Sequence, residues 1–241
     1  MGDLIRKNIK LCALMTAPRY ENTWCRNQIE FSLRALGIPF TVSGGVYYGQ
    51  CMQKMLESAI EQGTEYAITI DGDSVFKPDQ LQRLISIIVQ EGETIDALCS
   101  MQVRRGQKSM LGTIAGQVSA KWDGYPIKVD TAHFGLTIIN LEKLAKTPKP
   151  WFFCQPDEEG RWGDNRIDSD IWFWRQWSKA GNSCYIDPGC RIGHVEEMVV
   201  TYTDELKIEH MYPVEWVKGE RDANEADTVE GLEEAPCEQS A

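Results

Sequence analysis

No apolar run in this 241-residue sequence approaches the roughly 20 residues needed to cross a bilayer, and residues 1–10 are charged, without the hydrophobic region of a signal peptide. Paired cysteines are missing too. The eight Cys stand singly at 12, 25, 51, 99, 154, 184, 190 and 237, with no C-x-x-C among them. That argues against a disulfide framework or cysteine-held zinc, and for a reduced, cytoplasmic chain. Positive charge is scarce: the net charge of -11 leaves no global basic footprint for nucleic acid or anionic lipid. Phosphate-binding glycine motifs are absent, because Ser43-Gly44-Gly45 continues into neither a P-loop nor G-x-G-x-x-G.

What is there suits a folded enzyme. With 42% hydrophobic and 25% charged residues, the composition excludes disordered, collagen-like and coiled-coil chains. The acidity is uneven. From Lys218 to Ala241 there are two basic and eight acidic residues, a net of -6, which leaves -5 for residues 1–217. The expected organisation is a single domain over 1–217. An acidic, disordered tail over 218–241 follows.

The first half alternates strand and helix patterns. An apolar run at 9–15 stops at Thr16-Ala17-Pro18-Arg19, and a helix is expected over 22–36, ended by Gly37. A short strand at 40–42 precedes a helix whose Met52, Met55, Leu56, Ala59 and Ile60 fall on one face. Gly63 closes that helix. A buried strand is expected at 66–70, a helix opening at Pro78 and Asp79, and a strand at 97–103. The second half predicts a strand at 133–140, a loop at 151–162, an aromatic-rich helix at 168–180 and a short strand at 184–187. Such alternation predicts an α/β fold with a mostly parallel central sheet flanked by helices. Ligands in these sheets sit at the carboxyl ends of the strands, which points to residues 16–19, 43–45, 71–74 and the segment after Val103.

The sharpest local signal is Asp71-Gly72-Asp73 at the end of an apolar strand. Two carboxylates spaced i, i+2 project to one side of an extended chain and suit Mg²⁺ or Mn²⁺. Asp168-Ser169-Asp170 repeats the triplet without ending a buried strand. An EF-hand reading fails, since Phe76 stands where Gly is required and Gln82 where the bidentate Glu belongs. His194-Val195-Glu196 lacks the P-C-x-x-C of a zinc deaminase.

Taken in order, residues 70–76, 133–139 with Leu144, 150–152, 168–173, 185–188 and 192–195 resemble a GT-A glycosyltransferase of the family 2-like, bacteriophage or bacterial type. The resemblance implies a GT-A fold in a catalytic domain over 1–217, with a nucleotide-binding half about 1–105 and an acceptor half about 106–217, and a nucleotide sugar such as UDP-glucose as donor. It implies Mn²⁺ or Mg²⁺ held by Asp71, Asp73 and His194, with the claims of His133 and His210 weaker. It makes Asp170 the base that deprotonates an acceptor hydroxyl, with Asp168 as the alternative because Ser169 stands where the family often has Glu. It places the donor near Thr16, Pro18, Arg19, Asp71, Gly72, Arg104, Arg105, Gly135 and Trp151, with Gly135 allowing close approach to the sugar and Trp151 and Phe152 stacking on it. Trp172, Trp174 and Trp177 read as packing residues. The acceptor stays open between a 5-hydroxymethyl-pyrimidine in phage DNA, met through residues 104–108, and a surface polysaccharide. A nucleotidyltransferase and a non-catalytic sugar-binding module are the rival readings.

Overall fold

The computed structural model describes residues 9–17, 21–103, 112–113, 125–163, 165–203 and 205–213. The chain divides into two compact units, Met1–Val195 and Glu196–Ala241. In the first, β1 (Leu11–Ala17) leads to α1 (Thr23–Ala35), β2 (Phe40–Gly44), α2 (Tyr48–Glu61), β3 (Tyr66–Asp71), β4 (Ser74–Val75), α3 (Pro78–Glu91) and β5 (Ala97–Met101). Then come β6 (Gly112–Thr113), β7 (Ile127–Lys128), β8 (Thr131–Ala132), β9 (Leu136–Asn140), α4 (Leu141–Lys146), α5 (Ser169–Lys179), β10 (Cys184–Arg191) and β11 (Gly193–His194). The second unit holds an antiparallel pair, β12 (Val199–Tyr202) and β13 (Ile208–Met211).

Seven strands form one sheet in the order β2-β1-β3-β9-β5-β10-β7. Five run in one direction; β9 and β7 run against their neighbours. The side-chain period of two in each strand feeds two separate cores. Ala13, Met15, Ile68, Ile70, Leu98 and Ile138 face α1 and α3 on one side. Leu14, Ala67, Ala97, Cys99 and Ile139 face α2, α4 and α5 on the other, where Phe173, Trp174 and Trp177 are buried. This explains why the strands read as continuous apolar runs: helices cover both faces. The seven Cys among the described residues are free thiols.

Local sequence sets the helix ends. Asn22 caps α1, its side chain accepting the Cys25 amide at 3.1 Å. Pro78 stands in the first turn of α3, and Gln80 Oε1 accepts the Lys77 amide at 2.8 Å. Gly37, Gly63 and Gly181 follow α1, α2 and α5 with φ of +67°, +68° and +81°, a conformation in which a side chain would be strained.

Two features outside the sheet position the site. β11 pairs with β4, setting His194 opposite Ser74, and the Val195 amide donates to the Asp73 carbonyl at 2.8 Å. β10 is anchored to α3 by Asp187, which is fully buried and bound bidentately by Arg83, Nε to Oδ2 at 2.5 Å and Nη2 to Oδ1 at 2.9 Å.

Candidate active site

A cavity of about 470 Å³ opens at the carboxyl ends of the central strands. It collects six of the residues singled out from sequence: Thr16, Asp71, Gly72, Asp73, Asp170 and His194. Thr16, the penultimate residue of β1, is in register with Asp71, the last residue of the adjacent β3, so parallel pairing alone places the two side by side. Chain reversal after Asp73 brings in β4, and β4 brings His194.

Asp73 and His194 are in direct contact, Nε2 lying 3.1 Å from Oδ2. The other ring nitrogen, Nδ1, lies 3.2 Å from the carbonyl oxygen of Val103. Both partners are acceptors. A neutral imidazole can donate to one of them, so the arrangement is satisfied either by an imidazolium or by a cation shared between Nε2 and the carboxylate. The donor set fits a divalent cation: two ligands about 2.1 Å from an octahedral ion at right angles lie about 3 Å apart, the spacing seen here. Among the described residues no group of three His, Cys, Asp or Glu converges as a complete metal cage. An ion held here would therefore take further oxygens from substrate or water, as Mg²⁺ does at phosphate sites.

The two carboxylates of the second triplet are separated by the start of α5. Asp170, in its first turn, lines the cavity, and its Oδ1 accepts the Ile171 amide at 2.8 Å. Asp168 stands at the N-cap without making a side-chain cap. It pairs instead with Arg166, Nε to Oδ1 at 2.8 Å, and does not line the cavity. Two donor positions need correction. Trp151 is only 1% exposed, donates from Nε1 to the Thr147 carbonyl at 3.0 Å and lies under Lys149; it packs in the core and offers no stacking face to a sugar. Gly135 lies off the cavity wall, where a Cβ would come within 2.8 Å of both His133 Nδ1 and Ser74 Oγ. Its small size admits neighbouring side chains, not a ligand. Pro18, Arg19, Arg104 and Arg105, with the rest of the 104–108 cluster and the 218–241 tail, lie outside the described residues.

Several lining residues escaped the sequence reading. Gln102 directly follows β5, where the strand-end rule points; buried, it donates from Nε2 to Ser74 Oγ at 3.1 Å. Asn22 lines the cavity through its position as the α1 cap, and its neighbour Glu21 lines it too. His133, which the resemblance gave a weaker claim as a metal ligand, also lines the cavity; it is completely enclosed, with Nε2 2.8 Å from the Ser100 carbonyl and Nδ1 accepting the Gly135 amide at 2.9 Å. Those two bonds assign the neutral tautomer with the proton on Nε2, and burial drives its pKa down to about 4. Tyr48, the first residue of α2, had no local signal at all; only the fold carries it to the cavity.

No protein-family model and no curated protein matches the sequence. The structure is similar to the crystal structure of A197 from STIV, with a TM-score of 0.58 at 14% identity over 84% of this chain and 94% of that one. It also matches GalNAc-T7 with UDP, GalNAc and Mn²⁺, with a TM-score of 0.49 at 11% identity over 79% of this chain and 45% of that one. A third match is glucosyl-3-phosphoglycerate synthase from Mycobacterium tuberculosis in complex with Mn²⁺ and UDP-glucose, with a TM-score of 0.47 at 8% identity over 88% and 90% of the two chains. At such identity the likeness to A197 is one of fold. The seven-stranded, mostly parallel sheet flanked by helices is the α/β architecture expected from the alternation of strands and helices.

Proposed function

We propose that the chain is a metal-dependent glycosyltransferase that moves a hexose from a nucleotide sugar, a UDP-sugar, to an acceptor hydroxyl. The observation that supports this most is one cavity containing the strand-end Asp71-Gly72-Asp73, the His194 that touches Asp73, and Asp170 on a separate element. A non-catalytic module has no need of that last carboxylate.

In this reading Asp71, Asp73 and His194 hold Mn²⁺ or Mg²⁺, which when bound offsets the negative charge building on the departing diphosphate. Thr16 and Gly72 border the donor at the ends of β1 and β3. Asp170 accepts the proton of the acceptor hydroxyl as its oxygen bonds to the anomeric carbon, while the bond from that carbon to the diphosphate oxygen breaks and the configuration inverts. The Ile171 amide bonded to Asp170 Oδ1 holds the carboxylate in place at the start of α5.

Titration calorimetry with UDP-glucose and UDP, with and without Mn²⁺, tests the donor. Asp71→Ala and Asp73→Ala are expected to abolish metal-dependent hydrolysis or transfer, and a variant that keeps full activity overturns the metal assignment. For the acceptor we propose a hydroxyl on either a hydroxymethyl-pyrimidine in DNA or a surface polysaccharide. Transfer of labelled sugar to hydroxymethylated DNA and to glycan acceptors decides between them.

A further inference from the structure

Among the cavity side chains that neither the metal nor the base assignment uses, Tyr48 stands out. Tyr48 lies in the first turn of α2 with its ring fixed between aromatic neighbours, 6.1 Å centroid to centroid from Phe134 and 5.9 Å, edge-on, from Phe152. Gly49 behind it packs against Phe152 and Ser169, so the first turns of α2 and α5 are held together. The ring is therefore placed before any ligand arrives. Its hydroxyl oxygen is buried, and among the described residues it has no hydrogen-bond partner. A buried hydroxyl left unpaired weakens a folded chain, and Tyr O–H groups in such places ordinarily have partners. Here the unpaired group belongs to a residue lining the cavity that contains Asp71 and Asp170.

The charges around it define what it can do. Burial, and then the negative charges of Asp71 and Asp170, push the phenol well above its usual range, so the proton stays on oxygen at any working pH. The group is a neutral hydrogen-bond donor in a cavity that also carries the carboxylates Glu21, Asp71, Asp73 and Asp170. Asp71 marks the diphosphate end and Asp170 the acceptor end of the reaction proposed above, and the transferred sugar must lie between them.

Resting on that reading, we propose that the Tyr48 hydroxyl donates a hydrogen bond to a ring hydroxyl of the donor hexose, which makes Tyr48 a sugar-recognising residue and not part of the nucleotide or metal site. The bond is made only when the sugar is present, so its loss separates sugar from nucleotide.

Tyr48→Phe removes the oxygen and keeps the ring. With Mn²⁺ present, calorimetry is expected to show affinity for UDP-glucose reduced about tenfold, as loss of one hydrogen bond to an otherwise unpaired group implies. Affinity for UDP is expected to stay within about twofold by the same reasoning. The ligand-free variant should melt at a higher temperature than the parent, because an unsatisfied buried hydroxyl has gone; a structural hydroxyl would give the opposite sign. Equal loss for UDP and UDP-glucose, no loss for either, or a lowered melting temperature overturns the proposal while leaving the glycosyltransferase reading intact. If the parent chain binds neither UDP nor UDP-glucose with Mn²⁺, the glycosyltransferase reading and the role of Tyr48 fall together.

Discussion

His133 ties the stability of the fold to pH, and the size of the effect follows from its surroundings. The ring is fully enclosed beside the cavity, with Nε2 facing the Ser100 carbonyl and Nδ1 accepting the Gly135 amide. A second proton would have to sit on Nδ1, where it would break the Gly135 bond and confront an N–H donor. Burial, which dominates, therefore lowers the pKa from 6.5 to about 4; the Ser100 bond opposes the shift and the nearby His194 adds to it. Above pH 6.5 both folded and unfolded chains carry neutral His133 and the linkage is silent. Between about 6.5 and 4 the unfolded chain binds a proton that the folded chain refuses, so stability falls as pH falls. A gap of about 2.5 units at 1.36 kcal/mol each gives a loss of about 3 kcal/mol, complete near pH 4. Urea unfolding at a series of pH values would measure it, comparing the parent with His133→Gln. The carboxylates titrate in both proteins, so the difference between them isolates the imidazole. The parent's advantage should shrink by about 3 kcal/mol from pH 7.5 to 4. With only three His in the sequence, ring resonances also report the titration directly. A difference that does not change with pH, or a His133 resonance titrating near 6.5, refutes the account.

Arg83→Ala leaves the fully buried Asp187 carboxylate with the Gly189 amide, 3.0 Å from Oδ1, in place of its bidentate partner. We expect a loss of about 3 kcal/mol, the lower end for a broken buried pair because the Arg83 side chain is 42% exposed and water can reach the gap. Thermal unfolding should show it as a fall of roughly 6–12 °C. Asp170→Asn should cut the turnover number by about 10²–10⁴-fold while donor affinity by calorimetry stays unchanged; loss of donor binding, or full activity, removes Asp170 from the role of base.

The elements of the first half were legible because each satisfied several local rules together. The α2 stripe from Met52 to Ile60, the Pro78-Asp79 opening of α3 and the glycines after α1, α2 and α5 agree with the observed elements within a few residues. The strand at 66–70 was legible because both its faces are buried, and the structure ends it at Asp71, the residue whose chemistry had drawn attention. The two-residue strands were not legible. β4 and β11 are too short to show periodicity and exist only because each pairs with the other. The antiparallel direction of β9 was also hidden, since a strand buried on both faces reads the same in either direction.

The same division runs through the site. Asp71 and Asp73 announced themselves because carboxylates at the end of an apolar strand are marked by their immediate neighbours, whereas Asp170 was singled out only through the family resemblance. Trp151 misled for the complementary reason: an aromatic residue in a loop has the same local appearance whether it stacks on a ligand or fills a core, and burial decided for the core. Gly135 misled likewise, because the neighbours that require its smallness, Gln102 and Ser74, lie far away in the chain. By itself the sequence determined the alternation of strands and helices and the carboxylates at the strand ends, all set by residues within a turn or two of one another. The contact between Asp73 and His194, the neutral enclosure of His133 and the unpaired hydroxyl of Tyr48 were decided by tertiary structure. Each depends on distances across the fold between residues tens to more than a hundred positions apart, and no local pattern encodes such distances.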